Sequence, residues 1–119
     1  MYRIDGTLPT LNDHDKANRT NKFAGAKLKR EATDMGAWQL KGKQKITNPC
    51  TLEFTWQYSG RHDLDNIAFA KKYVLDSMVK AGILKDDSQK WVLGFTDYFV
   101  KVDKGKEGVI INVNELQSM

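Results

Sequence analysis

The segment "TLEFTWQY", residues 51–58, constrains the fold more than any other, because apolar and polar side chains alternate along it without a break. One face of an extended chain here carries the large side chains Leu52, Phe54, Trp56 and Tyr58. This period of two predicts a strand with one buried face. Aromatic side chains can also stack on nucleic-acid bases. Four large side chains on one strand face are nevertheless interpreted as core.

Sequence patterns before and after residues 51–58 predict the other helices and strands. Strands are expected at residues 2–8, 89–101 and 109–113, and helices at 21–40 and 64–81, the second ended by Gly82. A further helix is expected to start near "LND", capped by Asn12 or Asp13. The apolar stripe predicted for the helix at 21–40 consists of Ala24, Leu28, Ala32, Met35 and Trp38. The order of elements predicts an α+β fold, a single domain over residues 1–119 with a small mixed sheet and helices packed on it.

Charge and composition narrow the class of protein. The net charge is +4, and residues 1–60 carry the excess, with ten Lys/Arg against six Asp/Glu. Such a balance indicates either an anionic partner, most often nucleic acid, or solubility alone. There is no apolar run long enough for a membrane span and no signal peptide pattern, and the single Cys50 is expected to be a buried thiol. We therefore expect a cytoplasmic protein with no membrane partner.

Two pairs of aspartates flank the predicted helix at 64–81. Asp63 and Asp65 precede it, and Asp86 and Asp87 follow it. In an extended segment residues i and i+2 point the same way, so the first pair can converge on a hard cation such as Mg²⁺, or Mn²⁺ in its place. The alternative is that these carboxylates only cap the helix and favour its dipole.

Other site chemistries do not fit the sequence. An EF-hand would need Gly and Glu where Ala68 and Val74 stand. No P-loop, cysteine zinc site or nucleophilic Ser-His or Cys-His arrangement is recognisable, and no nucleotide cofactor is expected. His14 and His62 have no evident partner that would make either of them a metal ligand or a base, and both are interpreted as surface or supporting groups. Lys72, Asp76 and Lys80 are spaced for a surface ion ladder, which is the plain alternative to a functional role for Lys72.

Three motifs appear in order: "DLDN", then "KYVLD", then "AGILKDDSQ". Together with "IDGTLPTLND" and "ANRTNKFAGAKLKRE", they resemble RusA-type Holliday junction resolvases, the crossover junction endodeoxyribonucleases often found in prophages, over nearly the whole chain. The resemblance implies a bacterial or phage-encoded, Mg²⁺-dependent homodimer. It would resolve four-way DNA junctions by paired symmetric phosphodiester hydrolysis, leaving 5′-phosphate and 3′-hydroxyl ends.

The resemblance also implies roles for residues. The metal-binding and catalytic aspartates would be Asp63, Asp65 and Asp87, with Asp86 as an additional acid. Lys72 matches the family's catalytic lysine by its distance to Asp76, but its spacing from "DLDN" is about one turn longer here, so Lys71 and Lys72 both stay open. Basic candidates for DNA contacts are Arg19, Lys22, Lys27, Lys29, Arg30, Lys41, Lys43, Lys45 and Arg61.

The length of the predicted helix raises a geometric problem. A helix over residues 64–81 would span roughly 25 Å, which separates Asp87 from Asp63 and Asp65 within one subunit. Either the following loop folds back, or the helix is interrupted, or the acids meet across a dimer. A two-fold axis beside this helix would set its two copies antiparallel, so that the "DLDN" end of one meets the "KDDSQ" end of the other, and we expect a composite site. The competing functions are a non-catalytic DNA-binding protein of the same fold and a nuclease acting on flaps or forks.

Overall fold

The computed structural model describes residues 1–116, so the last three residues of the expected domain lie outside it. The strands are β1 (Tyr2–Asp5), β2 (Cys50–Tyr58), β3 (Val92–Lys101) and β4 (Gly108–Glu115). The helices are α1 (Leu11–Thr20), α2 (Lys22–Leu40), α3 (Leu64–Ala68) and α4 (Lys71–Lys80). The described chain forms one α+β domain, which confirms the predicted fold class.

The four strands form a mixed sheet in the order β1-β4-β2-β3. β4 runs antiparallel to both β1 and β2, whereas β2 and β3 are parallel. The four large side chains predicted to be buried on β2 are at most 5% exposed. The polar side chains of β2 face the other way and stay partly or fully exposed. The helices therefore cover one face of the sheet and leave the other to solvent.

The predicted helix at 64–81 is wrong as a single element, because the chain breaks into α3 and α4 at Phe69 and Ala70. The amide of Ala70 donates to the carbonyl of Ile67 (3.0 Å), and that of Lys72 to the carbonyl of Phe69 (3.3 Å). These three-residue hydrogen bonds tighten the turn and end the regular helix.

Two further details of the helices differ from the prediction. Thr10, not Asn12 or Asp13, caps α1, in a capping box with Asp13. Trp38 is 75% exposed rather than part of the apolar stripe, because the buried line of α2 runs through Gly36 and Leu40.

Gly36 allows α2 and α4 to pack closely. A Cβ atom at this position would lie 2.3 Å from Oγ of Ser77, which is fully buried in α4. Cys50 is also fully buried, as predicted. No helix within residues 1–116 is both long and apolar enough to cross a bilayer.

Candidate functional site

The connection between the two parallel strands fixes where the acidic pairs lie. Parallel neighbours need a crossover, and here α3 and α4 provide it between β2 and β3. The register pairs Thr51 with Gly94 and Tyr58 with Lys101, so the strands run side by side over seven residue steps, about 23 Å. The chain leaves β2 at one end of this span and enters β3 at the other. Sequence segments at the two ends of the crossover therefore lie at opposite ends of the sheet.

The first acidic pair lies just after the carboxyl end of β2. Asp63 is the N-cap residue of α3, but its side chain makes no capping hydrogen bond. The Asp65 carboxylate accepts a hydrogen bond from the amide of Asn66 (3.0 Å). Both aspartates are exposed, and Asp63 lines a polar cleft with Asn12, Arg61, His62 and Asn66. Capping by side chains therefore does not account for Asp63.

The second acidic pair lies just before the amino end of β3. Asp86 accepts a hydrogen bond from the amide of Ser88 (2.9 Å), while no hydrogen bond to the Asp87 side chain occurs within the described residues. Both are exposed and line a shallow cleft that also includes Asp76, Lys80 and Lys85. Each pair thus has one carboxylate fixed by a local amide and one carboxylate without such a bond.

A hard divalent cation needs several oxygen ligands, and carboxylates are the side chains that most often supply them. Within residues 1–116 of one protomer, no group of three or more Asp, Glu, His or Cys side chains is placed to hold a metal ion. Two carboxylates from one end of the sheet and one or two from the other end of a second protomer would supply the oxygen ligands that Mg²⁺ prefers. Within one protomer each acidic pair can supply two carboxylates, and further oxygen ligands would have to come from water, a phosphate or a second protomer.

The two candidate lysines have different surroundings. Lys71 is 19% exposed and donates to the Asp97 carboxylate on β3 at 2.7 Å. Its ammonium group also lies over the rings of Phe54 and Phe95, at 5.5 and 4.6 Å from their centroids. Lys72 is exposed and forms no ion pair within the described residues. Lys71 therefore acts as a structural cation, and Lys72 is the lysine available to a ligand.

The surface ion ladder predicted as the plain alternative for Lys72 is wrong. Asp76 lies 3.9 Å from Lys29 of α2, and Lys80 pairs with Asp34 of the same helix. Both ion pairs join α4 to α2 instead of running along α4.

All nine predicted DNA-contacting cations are exposed. Two of them already have an acidic partner, because Lys29 faces Asp76 and Lys27 lies 3.8 Å from Glu31. Lys22 and Lys41 lie over exposed aromatic rings, those of Phe23 (5.3 Å) and Trp38 (5.6 Å). Arg61 lines the same cleft as Asp63.

Sequence reasoning missed the role of Asn66, which is 9% exposed. Its side-chain oxygen accepts from the amide of Asn12 (2.9 Å) and so fixes the start of α1 beside α3. The Asn of "DLDN" was the available signal. The ring nitrogens of His14 lie 3.3 Å from the Tyr73 hydroxyl and 3.0 Å from the Asn18 amide, so this histidine joins α1 to α4 as a supporting group.

Tyr58 joins the end of β2 to the segment before α1. Its hydroxyl donates to the carbonyl of Leu8 (2.7 Å), and its ring meets His62 edge-on at 5.7 Å. Burial, reinforced by the nearby Asp13 carboxylate, raises the pKa of Tyr58 above its ordinary value. The hydroxyl is therefore a neutral hydrogen-bond donor at neutral pH, and it supports the loop that carries Asp63.

Compared with known proteins, the chain matches no protein-family model and no curated protein. The resemblance to RusA-type resolvases thus rests on the sequence motifs and remains a prediction.

Proposed function

We propose that this chain is a Mg²⁺-dependent, structure-selective endodeoxyribonuclease that resolves four-way DNA junctions as a homodimer. The observation that supports it best is the state of the four flanking aspartates. Asp63, Asp65, Asp86 and Asp87 are exposed, and none forms an ion pair within residues 1–116, although the protein carries a net positive charge. Exposed carboxylates that lack a cationic side-chain partner are available to coordinate a divalent cation, which is what this function requires.

The residues divide the work of phosphodiester hydrolysis. Asp63 and Asp65 of one protomer and Asp87 of the other would hold the cation, with Asp86 as an additional acid. When bound, Mg²⁺ supplies Lewis-acid polarisation of the phosphate and activation of water. Lys72 places its ammonium group to offset the charge that develops on the phosphate. Asp65 is held in position by the amide of Asn66.

The outer face of α2 is the proposed contact for the DNA backbone. Phe23, Arg30 and Trp38 recur at helical spacing on this face, and the two aromatic residues are 74% and 75% exposed. Phe23 and Trp38 lie about 22 Å apart along the helix axis. Lysines over both rings can bind phosphates while the rings stack on bases that are unstacked at a junction.

A labelled four-way junction tests the proposal. With Mg²⁺, the protein should cut two strands at symmetric positions, and with a chelator it should bind without cutting. Asp65→Asn should abolish cutting and leave junction binding intact, because the basic surface is untouched. Asp103→Asn, in the turn before β4, is the matched control and should cut normally.

Three results would contradict this proposal. If the wild-type protein binds junctions but never cuts them in Mg²⁺ or Mn²⁺, it is the non-catalytic DNA-binding protein of the competing interpretation. Flaps or forks cut faster than junctions would indicate the other nuclease class. Cleavage by Asp65→Asn at the wild-type rate would remove this carboxylate from the site.

A further inference from the structure

We infer that the free edge of β3 is the surface on which a second copy of this chain docks, with the two β3 strands antiparallel across a two-fold axis. The docking surface is inferred from the unpaired edge of the sheet and its exposed side chains. Its consequence for the acidic site rests on the proposed function.

β3 has the features of a strand that is completed by another chain. It is the outer strand of the sheet, ten residues long and without proline. Such an edge presents a row of unpaired backbone N–H and C=O groups, which proteins normally protect with charges, proline or a bulge. Its central charge, Asp97, is not protective, because the carboxylate is held inward by Lys71 and by Nε1 of Trp56 (2.9 Å).

The side chains of β3 leave an apolar surface at this edge. Leu93, Phe95, Tyr98 and Val100 are between 46% and 52% exposed. On the helix-covered side, an open groove lies between β3 and α3, lined by Trp56, Leu64, Ile67 and Phe99 among others. The helical layer thus stops short of β3, and apolar surface is left on both faces of the strand.

The pleat of the sheet restricts how two β3 strands can pair. Opposite residues in an antiparallel pair point to the same face, so a two-fold axis makes one residue face its own copy. Near the centre of β3, the residues that could face their own copy across the axis are Thr96, Asp97 and Tyr98. Asp97 would place two carboxylates opposite each other, which is unfavourable. Thr96 at the axis sets Tyr98 opposite Gly94 of the second copy, where the ring has room, and this is the register we expect.

This antiparallel arrangement also explains the separation of the acidic pairs. The start of the second copy's β3 comes to lie beside the end of the first copy's β2 and β3. Asp86 and Asp87 of the second copy are carried to the end of the sheet where Asp63 lies. Arg61 and Lys101 are at that same end, where they would offset the negative charge of Asp86 and Asp87 of the second copy beside Asp63 and Asp65.

Disulfide trapping without DNA or metal tests the interface. In a Cys50→Ala background, Thr96→Cys should cross-link to its own copy on oxidation. Lys101→Cys alone should not, because antiparallel pairing sends the two copies of this residue to opposite ends. Thr51→Cys, exposed on β2 away from the edge, is the control. Equal cross-linking at positions 96 and 101 would mean parallel strands, and cross-linking only at position 51 would mean another surface. Either result overturns the inference.

Sedimentation gives a second test that needs no new cysteine. Wild-type protein should be a dimer, and Val100→Lys should weaken it about tenfold, since a lysine on a strand edge opposes pairing. Thr51→Lys should leave the dimer unchanged. A monomeric wild type, or a Val100→Lys variant that dimerises normally, overturns the inference.

Cleavage assays separate failure of the interface from failure of the proposed function. A monomer that cuts junctions would refute the β3 interface and leave the nuclease standing. A β3-linked dimer that never cuts would refute the nuclease and leave the interface standing.

Discussion

Lys71→Met should destabilise the protein and lower cleavage only as far as it weakens the dimer, whereas Lys72→Met should lower cleavage with little effect on stability. Lys71 is the only cation that forms an ion pair with Asp97 within residues 1–116, and its removal leaves that carboxylate with the Trp56 N–H alone. Methionine keeps the length and apolar stem of lysine, so the packing against Phe54 and Phe95 is largely retained. The change therefore isolates the charge.

The expected cost follows from the geometry of this ion pair. A hydrogen bond to a charged group contributes about 1.5–3 kcal/mol, and each cation–π contact about 0.5–1 kcal/mol. Because Lys71 and Asp97 are 19% and 25% exposed, solvent screening reduces both contributions. We expect a loss of about 2 kcal/mol in the free energy of unfolding. Adding Asp97→Asn should restore about 1 kcal/mol, because it removes the carboxylate left without its cation.

Urea denaturation at a fixed protomer concentration measures these differences. Lys72→Met should change the free energy of unfolding by less than about 0.5 kcal/mol, as an exposed residue does. Its junction cleavage should nevertheless fall by about two orders of magnitude, the usual cost of losing one charge-stabilising group. A Lys71→Met variant that keeps wild-type stability and loses cleavage would show that the assignment of the two lysines is reversed.

Three further predictions concern the packing of α2 on α4, the buried Tyr58 hydroxyl and the DNA-contacting face of α2. Gly36→Ala should lower stability by about 1–2 kcal/mol in a thermal melt, because the clash with Ser77 outweighs the gain in helix propensity; a stabilised variant would contradict the close packing. Because the pKa of Tyr58 is raised in the folded protein, its hydroxyl stays protonated at pH values where the unfolded chain has lost that proton. The free energy of unfolding should therefore fall as the pH rises above 10, and Tyr58→Phe should make this fall less steep. An equally steep fall in both proteins would contradict the buried hydroxyl. Arg30→Ala should flatten the salt dependence of junction binding by about one counterion, and Lys29→Ala should do so less, because Lys29 faces Asp76; equal effects would remove this distinction.

The sequence predicted secondary structure best where a single pattern of apolar and polar side chains ran through the whole segment. β2 alternates strictly, and its four large side chains are buried as expected. Trp38 was misplaced because its apolar character suggested burial, whereas Gly36, with no side chain, determines which face of α2 meets α4. The break between α3 and α4 has no proline or glycine to mark it, so the pattern at 64–81 read as continuous.

The candidate site was less predictable because it depends on topology. The residue types were recognisable in "DLDN" and "KDDSQ", and the separation of the acids could be estimated from helix length. That the connection joins two parallel neighbours, and that β3 is left at an edge, required the strand order. The partner of Lys71 also could not be foreseen, because Asp97 lies 26 residues away in the chain.

The central claim is that each active site combines Asp63 of one protomer with Asp87 of the other. It is tested by mixing an inactive Asp63→Asn chain with an inactive Asp87→Asn chain, with a size tag on one chain to confirm that heterodimers form. In a shared site, one of the two centres of each heterodimer receives both substitutions and the other receives none. The mixture should therefore recover nicking of a single strand without paired resolution. Confirmed heterodimers that remain as inactive as their parents would show that one chain supplies all the aspartates, and would contradict the shared site.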